Sequence, residues 1–159
     1  MRRSDRKVMD REGIEEIILL CKTCHIAMVK DGLPYVVPLS FGYSFTNGGT
    51  LELYFHSALE GRKIDILKEN NRVCFEMADE GESINANSPC ELGYYYSSLI
   101  GNGEAVFIED VSEKCEALSL IVKHQSGRDV VFNSSQIENV SVFKIISADY
   151  TGKRKLKPE

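Results

Sequence analysis

Apolar residues recur along this chain at two alternating spacings, and the changes between them mark its elements. From Asp10, "DREGIEEIILLCK" sets Ile14, Ile17, Ile18 and Cys21 three and four residues apart behind an acidic first turn, which predicts an amphipathic helix of about three turns. "HIAMVKDGLPYVVPLSFGYSF" then carries two β-rich runs joined at Lys30-Asp31-Gly32, a strong hairpin signal, and after a turn at "TNGGT" the alternating "LELYFH" predicts a third strand. "SALEGRKIDILKENNR" predicts a second helix, with Ser57 and Glu60 spaced as a capping box. "VCFEM" is a strand, the polar "ADEGESINANSPCEL" a loop, and "GYYYSSLIGNGEAVFIED" a long strand in which Gly101 and Gly103 signal a bulge or a close backbone approach. Asp110 and Glu113 form another capping-box pattern before "VSEKCEALSLIVKH", which puts Cys115, Leu118, Ile121 and Val122 on one helix face and ends near His124. "VSVFKIISADYTG" closes the chain as a strand ahead of a basic tail, "KRKLKPE". The order α-β-β-β-α-β-β-α-β, with turns rather than crossover helices between most strands, predicts a mainly β fold: an antiparallel barrel or strongly curled sheet with flanking helices. Nothing divides residues 1–159, which read as a single domain.

Composition narrows the function classes. A hydrophobic share of 43% in 159 residues supplies a core without help from disulfides or metal. A net charge of -5 argues against a protein that grips nucleic acid or an anionic membrane surface. No apolar run reaches the roughly 20 residues of a membrane helix, and the opening residues lack the apolar segment of a signal peptide, so a cytoplasmic protein is expected. In that setting five irregularly spaced cysteines read as free thiols. "CKTCH", Cys21 to His25, has the spacing of c-type haem attachment, but it falls where helix gives way to strand and nothing marks a distal methionine. No covalent haem is expected there. Nor is a zinc site, because no second pair of ligands accompanies these residues.

The chemistry-bearing stretch is "YFHSALEGRKIDIL". Arg62 and Lys63 near a helix start add charge to an end that is already partially positive, which a bound phosphate would relieve. The alternative is a solvated face with Glu60, Asp65 and Glu69 as ion-pair partners. His56, ahead of that helix, can face a ligand at the strand ends or serve structurally. His124 reads as a cation complementing the end of its helix. Tyr94, Tyr95 and Tyr96 offer either a stacking wall or ordinary barrel packing. The chain has no P-loop, no dinucleotide-binding glycine pattern and no hydrolase elbow.

The blocks "DGLPYVVPLSFGY", "LYFHSALEGRKIDILKENNRVCFE", "YYYSSLIGNGEAVFIED" and "DYTGK", in this order over nearly the whole chain, resemble the pyridoxamine 5'-phosphate oxidase-like flavoproteins, specifically their nitroimidazole-resistance-related branch. The resemblance implies an antiparallel split β-barrel of Greek-key type and a homodimer that binds FMN at its interface. Carried over, Arg62 and Lys63 take the phosphate. Val36, Val37, Pro38 and Leu39 line the ring, while Phe55, His56 and Ser57 run beside the ribityl chain or ring. Tyr96 and Ser98 come from the strand that meets the partner, and Lys153 matches a further cofactor-site position. Leu99 departs from the β-branched residue common after that serine. The tail does not supply the basic and histidine residues of a true pyridoxamine phosphate oxidase. The implied function is an FMN-dependent oxidoreductase, with His56 as its candidate catalytic residue, passing electrons from a reduced nicotinamide or another donor to a small acceptor such as a nitro-aromatic. FAD is the alternative flavin. The alternative function is a non-catalytic flavin- or haem-binding module.

Overall fold

In the computed structural model, which describes residues 4–157, the hairpin expected at Asp31-Gly32 forms with both residues at positive φ, 52° and 75°. Those values suit the tight primed turns that join twisted antiparallel strands. The strands are β1 (Lys7–Val8), β2 (Thr23–Lys30), β3 (Leu33–Ser40), β4 (Gly42–Phe45), β5 (Leu51–Ser57), β6 (Arg72–Ile84), β7 (Gly93–Phe107) and β8 (Ser141–Lys155). The helices are α1 (Arg11–Leu20), α2 (Arg62–Glu69) and α3 (Val111–Ser126).

One antiparallel sheet runs in the order β3-β2-β6-β7-β8-β5-β4, with β1 added to β8. β3 and β4 hold opposite ends of that order, yet only Phe41 separates them in the chain. The sheet therefore curls until its ends approach at Phe41 without bonding to each other, which makes a barrel split along one seam. Ile14, Ile17 and Ile18 of α1 join Phe41, Phe55, Phe75 and Phe143 in the main core. α3 covers the outside of β5 and β8 through a smaller cluster that includes Ala117, Leu118, Ile121, Tyr54 and Val142. The paired glycines on β7 mark both of the devices expected of them. A Cβ on Gly101 would lie 2.4 Å from the Phe75 ring, and the register shifts between Asn102 and Glu104, around Gly103.

Several elements differ from their sequence patterns. Ser57 does not cap a helix; it is the last residue of β5, paired with Ser141, and α2 starts five residues later. The ladder to β8 takes the backbone that a cap at Ser57 would need. The run read as one strand from Leu33 breaks at Phe41, where the chain passes from one sheet edge to the other. The polar stretch after Met77 is not all loop: β6 continues to Ile84, paired with Gly93. Its side chains are largely exposed, so ladder bonds rather than an apolar face hold it, and periodicity carries no sign of it. "KRK" of the tail completes β8, with Lys153 opposite Ser98 and Lys155 opposite Tyr96. Asp110 accepts from the Glu113 amide at 2.9 Å, but the Glu113 carboxylate accepts from Lys144 instead of completing the box. On α3 the buried stripe ends with His124 rather than Val122, which is half-buried.

Candidate functional site

α2 begins at Gly61, whose φ of 134° and ψ of 163° belong to a region that glycine alone enters readily. No side chain caps this helix, and its first backbone bond runs from the Asp65 amide to the Gly61 carbonyl at 3.1 Å. Arg62 and Lys63 thus occupy the first two helical positions, closer to the positive end of the dipole than a start at Ser57 would place them. Among the described residues neither forms an ion pair. Glu69, one of the partners expected for a solvated face, is held by Lys30 at 2.9 Å. The Arg62 guanidinium instead lies over the Tyr35 ring, with Cζ 4.3 Å from its centroid. The Ser57 hydroxyl is buried without a hydrogen-bond partner.

Strand alternation divides the other expected residues. On β3, Val37 and Leu39 share the Tyr35 face and pack against the main core, whereas Val36 and Pro38 are exposed on the other face. Phe55 is a core residue, stacked on Phe143 with centroids 5.2 Å apart. His56, between buried Phe55 and buried Ser57, is exposed and makes no hydrogen bond among the described residues.

Tyr96, Ser98 and Lys153 form a second group on β7 and β8. Lys153 Nζ lies 5.5 Å from the Tyr96 ring centroid, and Arg6 donates to the Tyr96 hydroxyl at 3.4 Å. Slight burial raises the Tyr96 pKa, but hydrogen bonds and positive charge from Arg6 and Lys153 outweigh it and leave the phenol below its ordinary range. Ser98 and Lys153 line a cleft of about 280 Å³ together with Thr151 and Asp149. Ser57 pairs with Ser141 at the start of β8, whereas Lys153 lies near the far end of that strand opposite Ser98, so the two groups sit at opposite ends of β8.

"CKTCH" does not gather its side chains. Cys21 and Cys24 are buried, while His25 faces outward beside Glu76, Nδ1 to Oε2 3.2 Å. Burial, reinforced by Asp79 and Glu76, pushes the Cys21 thiol up to about 11; Cys24 is raised further, again chiefly by burial. Both are inert thiols at neutral pH. His124 is not the helix-end cation its position suggested, since it is 7% exposed and burial lowers its pKa.

Sequence reasoning missed Tyr35 and Gly61. Tyr35 stands two residues before Val37 on the same strand face, but only the placement of α2 shows that an arginine reaches it. Gly61 carried a signal, a glycine just before a charged helix start, which the Ser57 capping pattern obscured.

The sequence profile described as pyridoxamine 5'-phosphate oxidase matches residues 10–154. The chain belongs to that family. It is a flavin-binding family, and the split, helix-flanked barrel is the fold shared with its solved neighbours. A candidate 5-nitroimidazole antibiotic resistance protein from Bacteroides thetaiotaomicron is 33% identical, with a TM-score of 0.79 over 92% of this chain and 85% of that one. The flavocytochrome Anf3 from Azotobacter vinelandii is 22% identical, with a TM-score of 0.78 over 99% and 73%. An FAD- and heme-binding protein from Mycobacterium smegmatis is 16% identical, with a TM-score of 0.80 over 97% and 76%. These last two likenesses speak to fold alone. A curated relative, an uncharacterized protein of Rhizobium meliloti, is 26% identical over 89 residues, which span 56% of this chain and 55% of that protein. Among the described residues no helix is long and apolar enough to cross a membrane.

Proposed function

We propose that this protein binds FMN with the phosphate at the start of α2 and works as an oxidoreductase on a small acceptor such as a nitro-aromatic compound. The observation that carries the reading is that Arg62 and Lys63, at an uncapped helix start, form no ion pair among the described residues, while five residues before Arg62 the buried Ser57 hydroxyl has no hydrogen-bond partner. Adjacent cations there cost some tenths of a kcal/mol, and a phosphate dianion reverses the sign of that interaction. Arg62 offers a planar fork, Lys63 a mobile point charge, and the first helical amides further donors. Ser57 adds a hydroxyl. These residues fit a phosphate monoester, which favours FMN over FAD.

Bound flavin supplies the hydride and electron transfer, with a reduced nicotinamide as the donor in this reading. The chain grips the phosphate, offers the apolar side chains of β3 to the ring, and presents exposed His56 as a candidate proton carrier. Ser57 lies at one end of β8 and Tyr96, Ser98 and Lys153 at the other, so these three residues are assigned to the site of the second copy in a homodimer. Val36 and Ile100, 54% and 53% exposed, would be covered in such an assembly. The nitroimidazole-resistance description of the 33% identical relative supports the acceptor class.

Denaturing the purified protein and chromatographing the released chromophore, then assaying nitro-aromatic reduction with a reduced nicotinamide, tests the reading. FMN release is expected, with turnover that falls on the order of a hundredfold in His56→Gln, as for loss of a proton-transfer group. Flavin without turnover would assign a non-catalytic binding module, and a Soret band with no flavin would assign a haem protein.

A further inference from the structure

We propose that Tyr35 is the positioning residue for Arg62, seating the guanidinium on its ring so that the N–H groups stay free for the phosphate. The inference rests on reading the start of α2 as a phosphate site. Tyr35 is fixed from below: it pairs with Met28 in the β2–β3 ladder and packs half-buried against the main core. Its hydroxyl makes no hydrogen bond among the described residues, so the ring face is what it presents. At 4.3 Å, Arg62 on Tyr35 is the closest of the four cation–ring contacts among the described residues; the others are Arg11 on Phe45 at 4.9 Å, Lys153 on Tyr96 at 5.5 Å and Lys155 on Tyr95 at 5.7 Å.

An exposed arginine samples many rotamers and loses that freedom on binding an anion. A carboxylate could hold it in advance, but it would occupy the guanidinium fork and cancel the charge the phosphate needs. An aromatic face holds the guanidinium through its π surface and leaves the in-plane N–H groups outward. The absence of an acidic partner at Arg62 among the described residues and the presence of Tyr35 beneath it are therefore two parts of one arrangement.

The test is FMN titration by flavin fluorescence into wild type, Tyr35→Phe, Tyr35→Leu, Arg62→Ala and the Tyr35→Leu/Arg62→Ala double variant, with thermal melts of each apo form. Tyr35→Leu should weaken FMN binding about threefold to tenfold. Tyr35→Phe should stay within about twofold, since the π face remains. In the Arg62→Ala background Tyr35→Leu should add nothing. Wild-type affinity in Tyr35→Leu, or losses that simply add in the double variant, overturns the positioning role while leaving the phosphate site standing. Wild-type affinity in Arg62→Ala overturns the phosphate reading itself. If leucine proves too small for the fold, Tyr35→Met fills more of the space without a π face and carries the same expectations.

Discussion

His124 ends the buried stripe of α3, and its chemistry follows from its two ring nitrogens. Nε2 lies 2.8 Å from the Cys21 carbonyl, which only accepts, so Nε2 carries the proton. Nδ1 is buried without a partner, the ring packs against Phe41 and Tyr43, and Lys22 donates to the residue's own carbonyl at 2.6 Å. Protonation would leave a charged N–H unsatisfied near that lysine. Burial, aided by the Lys22 charge, accordingly lowers the imidazole pKa from its ordinary 6.5, against a smaller raising effect of the Cys21 bond. The unfolded chain then binds the proton first as pH falls. This contribution to stability is present above about pH 6.5 and is lost below it, at up to about 1.4 kcal/mol per pH unit for one proton. Thermal melts of apo protein from pH 7.5 to 5 should show a decline that His124→Gln flattens; an identical slope in the variant would contradict the assignment. The sequence showed His124 only as a histidine near a helix end, since its burial depends on β4 lying beneath α3. Arg62 and Lys63 could be read directly, because adjacent cations at a helix start need no partner element to stand out. Tyr35 could not, because its role exists only across two elements.

At the scale of elements, α2 shows how one residue sets a site. The capping pattern at Ser57 predicted a helix four residues too early, and the true start depends on Gly61 at φ 134°. There is open space where a Cβ would go, so the obstacle to any other residue is backbone conformation rather than contact. Gly61→Ala should therefore destabilise the fold by about 1–3 kcal/mol, lowering the apo Tm by several degrees. It should also weaken FMN binding by shifting the first helical amides. An unchanged Tm would mean that the turn relaxes freely and does not fix the helix start. The extension of β6 beyond Met77 escaped the pattern for a different reason: exposed ladder strands need no alternation of apolar residues. α1, the β2–β3 hairpin and α3 were legible because each joins a buried stripe or turn to a strong local signal.

For the whole molecule, the antiparallel class with outer helices followed from short connections, but the pairing of β5 with β8 and the seam at Phe41 did not, since long-range neighbours leave no mark on local periodicity. That topology sets Ser57 and Lys153 at opposite ends of β8, and in the proposed function a second copy completes the flavin site. Within one chain, the proposed phosphate site is Arg62 with Lys63. Charge-assisted hydrogen bonds to a dianion contribute about 1.5–3 kcal/mol each, so Arg62→Ala and Lys63→Ala should each weaken FMN binding about tenfold to a hundredfold. The apo Tm of both should stay within a few degrees of wild type, because neither side chain forms an ion pair among the described residues and the buried Ile64, Ile66 and Leu67 are untouched. FMN titration of the two variants beside wild type is the direct measurement: losses of that size in both support the phosphate site at Arg62 and Lys63, and wild-type affinity in both contradicts it.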